Sequence, residues 1–295
     1  MDAIALAEHA LGLPQLILAV PPRLPDGFEA ALEPLVRRRE AREPLQHIVG
    51  FAAFRHLSVR VQAGVFLPRP ETEVVAQAAV DEVRRLSAGG VEPLVVDVCT
   101  GSGVLALSVA VEVPGSRVIA VDIDPAAVQL ALSNASTVLP PEVTRSTPVE
   151  RPLGAGFGWT GASAVRIEVG DVADPGLLAE FDGAVDVLIG NPPYIPDDGV
   201  PLEREVADHD PPRALFGGGA DGLDLPRRVV AAAVRLLRPG GLFVMEHADV
   251  QGATVRDLVD RSGAFEPAVT HRDLTGRDRF VLARRAGATR CRPSG

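Results

Sequence analysis

The sequence predicts a doubly wound α/β fold, a mostly parallel sheet covered by helices on both faces. Short unbroken apolar segments, PLVVDV (93–98), RVIAVD (117–122), AVRIEV (164–169) and VDVLIG (185–190), alternate with helix-length stretches. Strands buried on both faces read as continuous apolar runs of this kind. The first segment runs into a glycine-rich turn (99–103), the second ends in Asp122, and the fourth runs into Asn191-Pro192-Pro193-Tyr194. These polar ends gather on one carboxyl edge of the sheet, where open α/β sheets hold ligands.

The elements follow in order. Residues 2 to about 50 read as short helices, with Ala3, Leu6, Ala7 and Ala10 on one face and a proline-rich break (Pro21, Pro22, Pro25) before a second stretch from Phe28 to Arg42. Pro34 inside that stretch predicts a kink or an early stop. Leu57, Val59 and Val61 alternate with Ser58, Arg60 and Gln62, the period of a half-buried strand, and with Phe51 and Phe54 they predict a β-hairpin. A helix starting near Pro70, with Glu71 and Glu73 in its first turn, runs to Leu86. Strand and helix then alternate: a helix through Val111, another from Pro125 to Ser136, one around Leu223 to Leu237, the strand GLFVMEH (241–247), a helix over 250–262, and strands near 266–271 and 278–284. The division expected is a helical domain over 1–50, a hairpin linker over 51–68, and an α/β domain over 69–286. The Pro- and Gly-rich loop 139–163, which holds Trp159, is expected to be a flexible insertion, and 287–295 a disordered tail.

Composition removes several function classes. A net charge of −10 argues against a protein whose main task is wrapping nucleic acid. The basic spots Arg37-Arg38-Arg39 and Arg284, Arg285, Arg290 and Arg292 read as solvated faces or tail. The chain contains no Lys, which excludes a phosphate-loop lysine and a lysine Schiff base. Cys99 and Cys291 stand far apart in unlike contexts, so no disulfide framework is expected, and no motif suggests a metal site. No apolar run reaches the length of a membrane span, and MDAIALAEHALG lacks the pattern of a signal peptide. A cytoplasmic monomer without membrane or direct nucleic-acid contact is the expectation.

The chemistry lies on the carboxyl edge. Gly101-Ser102-Gly103 after the first strand lets a ligand approach the backbone, and Asp122, about twenty positions on, can accept hydrogen bonds from ribose hydroxyls. Those two features fit NAD and S-adenosylmethionine alike; Asp124 reads as a cap for the next helix. The Asn191–Tyr194 block chooses between the cofactors. A planar NH2 awaiting methylation needs acceptors for its two hydrogens, and the Asn191 side-chain oxygen and Pro192 carbonyl can supply them. Pro193 would stiffen the backbone and Tyr194 pack the planar group. Asp171, after the third strand, is placed to contact adenine, with Val172 as an apolar wall.

FLPRPETE (66–73), DVCTGSG (97–103), AVDIDPAAV (120–128), NPPYIPD (191–197), RALFGGGADGLD (213–224) and LRPGGLFVMEH (237–247), in this order, resemble the HemK/PrmC family of protein-(glutamine-N5) methyltransferases. EPLQHIVG (43–50) and RDLTGRDRFV (272–281) are similar to family blocks too, so the resemblance spans nearly the whole chain. It implies a class I methyltransferase core with a seven-stranded sheet behind a small substrate-docking helical domain. The implied reaction moves a methyl group from S-adenosylmethionine to the side-chain amide of the Gln in the Gly-Gly-Gln motif of peptide-chain release factors. Cys99, Thr100, Gly101, Ser102 and Gly103 would line the cofactor, Asp122 hold its ribose, and Asp171 and Val172 flank adenine. Asn191, Pro192, Pro193 and Tyr194 would grip the glutamine, with Asn191, Pro192 and Tyr194 as the catalytic set and Asn191 also touching cofactor. Arg69, Pro70 and Glu71 would close the site.

The chain departs from the family in three places. Cys99 stands where many members carry Gly and reads as a small residue in a tight turn, not a reactive thiol. The chain begins at what resembles the family's second helix, so either a shortened docking domain or a true start further upstream is expected. The 139–163 loop is longer than the usual connection. Other readings stay open: a glutamine methyltransferase of a ribosomal protein, a nucleic-acid adenine amino-methyltransferase sharing NPPY, a dehydrogenase if the glycine-rich turn is weighed alone, and a cofactor-binding scaffold without activity.

Overall fold

The N-terminal region folds as α1 (Asp2–Leu11), α2 (Phe28–Glu40) and α3 (Leu45–Val49), followed by an antiparallel hairpin of β1 (Phe51–Phe54) and β2 (Leu57–Arg60). A computed structural model describes residues 2–139, 144–146, 164–201 and 203–287 of the chain. Of the kink or early stop expected at Pro34, the stop does not occur: α2 continues through that residue. A proline removes one backbone donor, but the helix C-terminal to it is held from outside. Arg38 bonds Glu43, and Arg39 bonds both Asp2 of α1 and Glu205 beyond the sheet.

The hairpin alternates as its sequence requires: Ala52, Phe54, Leu57 and Val59 are buried, and their neighbours Phe51, Ala53, Ser58 and Arg60 are exposed. A 3-10 turn at Pro70–Thr72 then leads into α4 (Glu73–Ala88). The alternating domain continues as β3 (Leu94–Val98), α5 (Val104–Glu112), β4 (Arg117–Asp122), α6 (Pro125–Val138), β5 (Thr144–Ser146), β6 (Ala164–Val169) and β7 (Val185–Gly190). It closes with α7 (Arg204–His209), α8 (Asp224–Leu236), β8 (Leu237–Glu246), α9 (Gly252–Arg261), β9 (Val269–Arg272) and β10 (Asp278–Arg284).

The sheet order is β5-β6-β4-β3-β7-β8-β10-β9, and β10 alone runs against its neighbours. Seven of the strands are those predicted from the sequence; β5 adds three residues to the edge beside β6. The rest of the 139–163 insertion, apart from Leu139, lies outside the described residues, as does the tail beyond Gly287.

Side chains of the central strands divide by their two-residue period. Val95, Val187, Ile189 and Val244 pack toward α4, α5 and the hairpin. Val96, Val98, Leu188, Phe243 and Met245 pack toward α8 and α9. Two of the four C-terminal arginines expected to be solvated are tied into the fold instead, and Arg290 and Arg292 lie outside the described residues. Arg284 grips the buried carboxylate of Glu82 on α4 with both terminal nitrogens, at 2.8 and 2.9 Å, and Arg285 donates to the Val234 and Ala264 carbonyls. Together with Arg85, Arg284 holds the Glu82 carboxyl down at about 2.

One buried amide joins three parts of this framework. Asn134 on α6 accepts from the Arg60 backbone N–H (2.8 Å), and its Nδ2 donates to the carbonyls of Arg60 (3.2 Å) and Ser102 (2.9 Å). Asn134→Ala strands those buried groups and should cost about 1–3 kcal/mol of stability, read from urea unfolding. A loss below about 0.5 kcal/mol, the range of ordinary surface changes, would contradict the linking role.

Candidate active site

The carboxyl ends of β3, β4, β6 and β7 open onto a cleft of about 670 Å³. Its position follows from the topology: β3 lies between β4 and β7, so the chain turns to opposite sides of the sheet around it and leaves a crevice.

The glycine-rich turn forms one wall. Cys99, Gly101 and Gly103 have φ of 58°, 56° and 87°, a left-handed run that side chains resist. Asp97, fully buried, holds the turn from below, its Oδ2 accepting from the Thr100 hydroxyl (2.6 Å) and the Ala106 N–H (3.1 Å). Burial pushes its carboxyl up to about 7. From the other side Asp122 Oδ2 accepts the Gly101 N–H at 2.8 Å, and Asp122 Oδ1 accepts that of Asp124 at 2.9 Å. Burial raises the Asp122 pKa as well. Burial raises the Cys99 thiol, and the carboxylates of Asp122, Asp97 and Asp171 raise it further, which keeps it from the thiolate form. Asp124 caps α6 through the Ala126 N–H, as its sequence position suggests.

Of the residues singled out in the sequence, Arg69, Cys99, Thr100, Gly101, Ser102, Asp122, Asp171, Val172, Asn191, Pro192, Pro193 and Tyr194 all line this cleft. Gly103, Pro70 and Glu71 are not among its lining residues. Gly103 is the N-cap of α5, where a Cβ would stand 3.1 Å from that of Ala131, so its bareness serves helix packing. Arg69 is not a free cation: it pairs with the buried Asp210 carboxylate and lies 5.0 Å over the Phe66 ring.

The loop after β7 is held by its neighbours. The N–H groups of Tyr194 and Ile195 both donate to the Leu215 carbonyl, Gly217 N–H donates to Ile195, and Gln251 Nε2 donates to the Tyr194 carbonyl at 2.9 Å. Gly217 and Gly222 press so closely that a Cβ on either would fall within 2.1 Å of a backbone oxygen. Among the described residues the Pro192 carbonyl accepts no hydrogen bond, and the Asn191 amide donates only to Thr72 Oγ1, at 3.5 Å. Thr72 at the cleft, and Glu246, Gln251 and Asn134, are buried polar groups to which the sequence reading gave no role; Thr72 and Glu246 fall inside the blocks 66–73 and 237–247, Gln251 and Asn134 outside every block.

These groups fit S-adenosylmethionine. Each Asp122 oxygen keeps a lone pair beyond its backbone bond, enough for two ribose hydroxyls. Asp171 uses Oδ1 for the Ala173 N–H, and Val98, Val121 and Val172 give apolar walls. Among the described residues no group of His, Cys, Asp and Glu could hold a metal ion, and no helix is long and apolar enough to cross a membrane.

Comparison with known proteins agrees. Residues 1–50 match the family model of the PrmC N-terminal domain, and 74–145 match that of ribosomal protein L11 methyltransferase (PrmA). Release factor glutamine methyltransferases of Mycolicibacterium smegmatis and Streptomyces coelicolor are 42% and 43% identical, over 97% of this chain and 90% of each relative. That of Bifidobacterium longum is 42% identical over 87% of this chain and 81% of its own length. Among solved structures, the Thermus thermophilus 16S rRNA N2 G1207 methyltransferase, in complex with AdoMet and guanosine, matches with a TM-score of 0.50 at 19% identity, over 80% of this chain and 49% of that one. That likeness is one of fold: both have a methyltransferase core. The identity and the extent of these matches are decisive, and the chain belongs to the release factor glutamine methyltransferase family.

Proposed function

We propose that this enzyme transfers a methyl group from S-adenosylmethionine to the side-chain amide nitrogen of the Gln in the Gly-Gly-Gln motif of peptide-chain release factors. The observation that carries the reading is a pair of acceptors at the cleft, Asn191 Oδ1 and the Pro192 carbonyl, beside a turn suited to the cofactor, in a member of this family.

When bound, S-adenosylmethionine supplies an electrophilic methyl group on sulfur. An amide nitrogen is a poor nucleophile because its lone pair is delocalised, so the protein's contribution is placement. Asn191 Oδ1 and the Pro192 carbonyl each accept one amide hydrogen, which turns the face of the nitrogen toward the methyl. Pro193 stiffens the backbone and Tyr194 packs the amide plane. Burial raises the Tyr194 pKa, so its ring stays a neutral wall. Good positioning of this kind is worth up to ~7–11 kcal/mol of the barrier. Asp122 takes the ribose hydroxyls, Asp171 and Val172 flank adenine, and residues 99–102 cradle the remainder. Gly103 shapes this turn from behind, and Arg69 and Glu71 belong to the segment that shields it.

Residues 1–50 are assigned the docking of the release factor. Their connector carries Ile17, Leu18, Val20 and Leu24, large apolar side chains 56–74% exposed, a surface suited to a protein partner. Arg39 of α2 bonds Glu205 of α7 at 2.8 Å, so a partner held by the helices is tied to the segment beside the cleft. The net charge of −10 supports a protein substrate over direct nucleic-acid contact.

Labelled methyl should pass from S-adenosylmethionine to a purified release factor and not to one whose Gly-Gly-Gln loop carries Gln→Ala. Label on both, or on neither while cofactor still binds, would contradict the assigned substrate atom. Asn191→Ala should lower kcat by on the order of 10²–10³ with cofactor affinity nearly unchanged. Normal turnover in that variant would remove Asn191 from the mechanism.

A further inference from the structure

Behind the Asn191 side chain runs a short buried polar chain with a direction. Asn191 Nδ2 lies 3.5 Å from Thr72 Oγ1, and the Thr72 hydroxyl stands close enough to the carboxylate of Glu246, at the end of β8, to favour its charged form. Thr72 and Glu246 are 3% and 2% exposed, and Glu246 Oε2 has no partner. A hydroxyl has one proton to give, and an ionised carboxylate only accepts. Beside an ionised Glu246 the Thr72 proton turns toward the carboxylate, which leaves Thr72 to accept from Asn191. Asn191 can then offer Thr72 only its NH2 end, which leaves its Oδ1 for the cleft.

We propose that Glu246 is a positioning residue that acts through Thr72 to fix which end of the Asn191 amide faces the substrate glutamine. The proposal rests on the reading that Asn191 receives the substrate amide. A substrate NH2 has hydrogens to donate, so it needs Asn191 Oδ1; a flipped Asn191 would set two NH2 groups against each other. Protonated Glu246 can donate to Thr72, whose proton then goes to Asn191 Oδ1, and the amide turns the wrong way. The ionised carboxylate is the working form.

The charged groups around Glu246 bear on its proton. Burial pushes it up to about 7, and Glu71 adds to the rise. Arg279 on β10, itself held by Asp273 at 3.0 Å, and Arg69 act in the opposite direction. Tyr194 stays neutral beside it. Because the ionised form works, kcat should rise with pH up to about 7 and level off above.

The test is kcat against pH for methylation of a purified release factor, in the wild type and in Glu246→Gln, Thr72→Val and Thr72→Ser, with KM, cofactor affinity and melting temperature measured alongside. Thr72→Val should lower kcat by up to on the order of 10²-fold while KM and cofactor affinity change little, because only the orientation of a catalytic amide is lost. Thr72→Ser, which keeps the hydroxyl, should recover most of that turnover. Glu246→Gln should lower the plateau and flatten the rise with pH, since its amide can set Thr72 either way at every pH. A Thr72→Val enzyme with wild-type kcat, or a Glu246→Gln enzyme with the wild-type pH profile, overturns the relay. Should Thr72→Val fail to fold, Glu246→Gln and Thr72→Ser still decide. An active Asn191→Ala would overturn the underlying reading instead, so the two failures are distinguishable.

Discussion

Two adjacent prolines at the end of a buried parallel strand leave the chain without amide hydrogens at positions 192 and 193, and the active site is organised around that deficit. A loop that cannot bond through its own N–H groups must be held by what surrounds it. Residues 215–222 and Gln251 do this, taking up the N–H groups of Tyr194 and Ile195 and the carbonyls of Tyr194 and Ile195. The bonding capacity left over, the Pro192 carbonyl and the Asn191 amide, opens on the cleft. Closeness of approach is part of the constraint, since Gly217 and Gly222 have no room for a Cβ against the loop backbone. The GGGADG stretch, far off in sequence, is the clamp of the NPPY loop.

The cofactor side is built on a similar plan with carboxylates in the role of the clamp. Asp97 and Asp122 flank a turn whose backbone sits in the left-handed region at Cys99, Gly101 and Gly103. Their bonds to Thr100, Ala106, Gly101 and Asp124 offset that strain. The carboxylate of Asp122 that ties the turn to β4 keeps a further lone pair on each oxygen, the capacity on which its proposed ribose role draws. Asn134 then joins the turn to the hairpin, so the N-terminal linker and the cofactor wall share one hydrogen-bond centre.

Much of this was legible in the sequence, for physical reasons that can be named. β4, β6, β7 and β10 occupy the spans read from their apolar runs, because strands buried on both faces leave a continuous signal. The ends of helices were less readable: α2 passes Pro34, and the helix foreseen at Pro70 opens as a 3-10 turn, because tertiary bonds outweigh local propensity there. Short-range motifs found the carboxyl-edge residues, since the parallel strands all end on one side of the sheet. Gln251 lies outside every such motif, and Thr72 and Glu246, though inside the blocks 66–73 and 237–247, showed no role there. Their roles depend on which elements pack together, and a buried Glu at the end of a strand looks in sequence like any solvated end. Arg284 misled for the same reason, reading as surface charge while its partner Glu82 lay some two hundred residues away.

The central claim is geometric, that a preformed pair of acceptors orients the glutamine amide. A crystal structure of the enzyme with S-adenosylhomocysteine and a peptide containing Gly-Gly-Gln tests it most directly. The account predicts the glutamine nitrogen within about 3 Å of both Asn191 Oδ1 and the Pro192 carbonyl, with its face toward the cofactor sulfur and the 191–194 backbone unmoved. A glutamine amide bound elsewhere in the cleft, or one gripped only after the loop had rearranged, would contradict it.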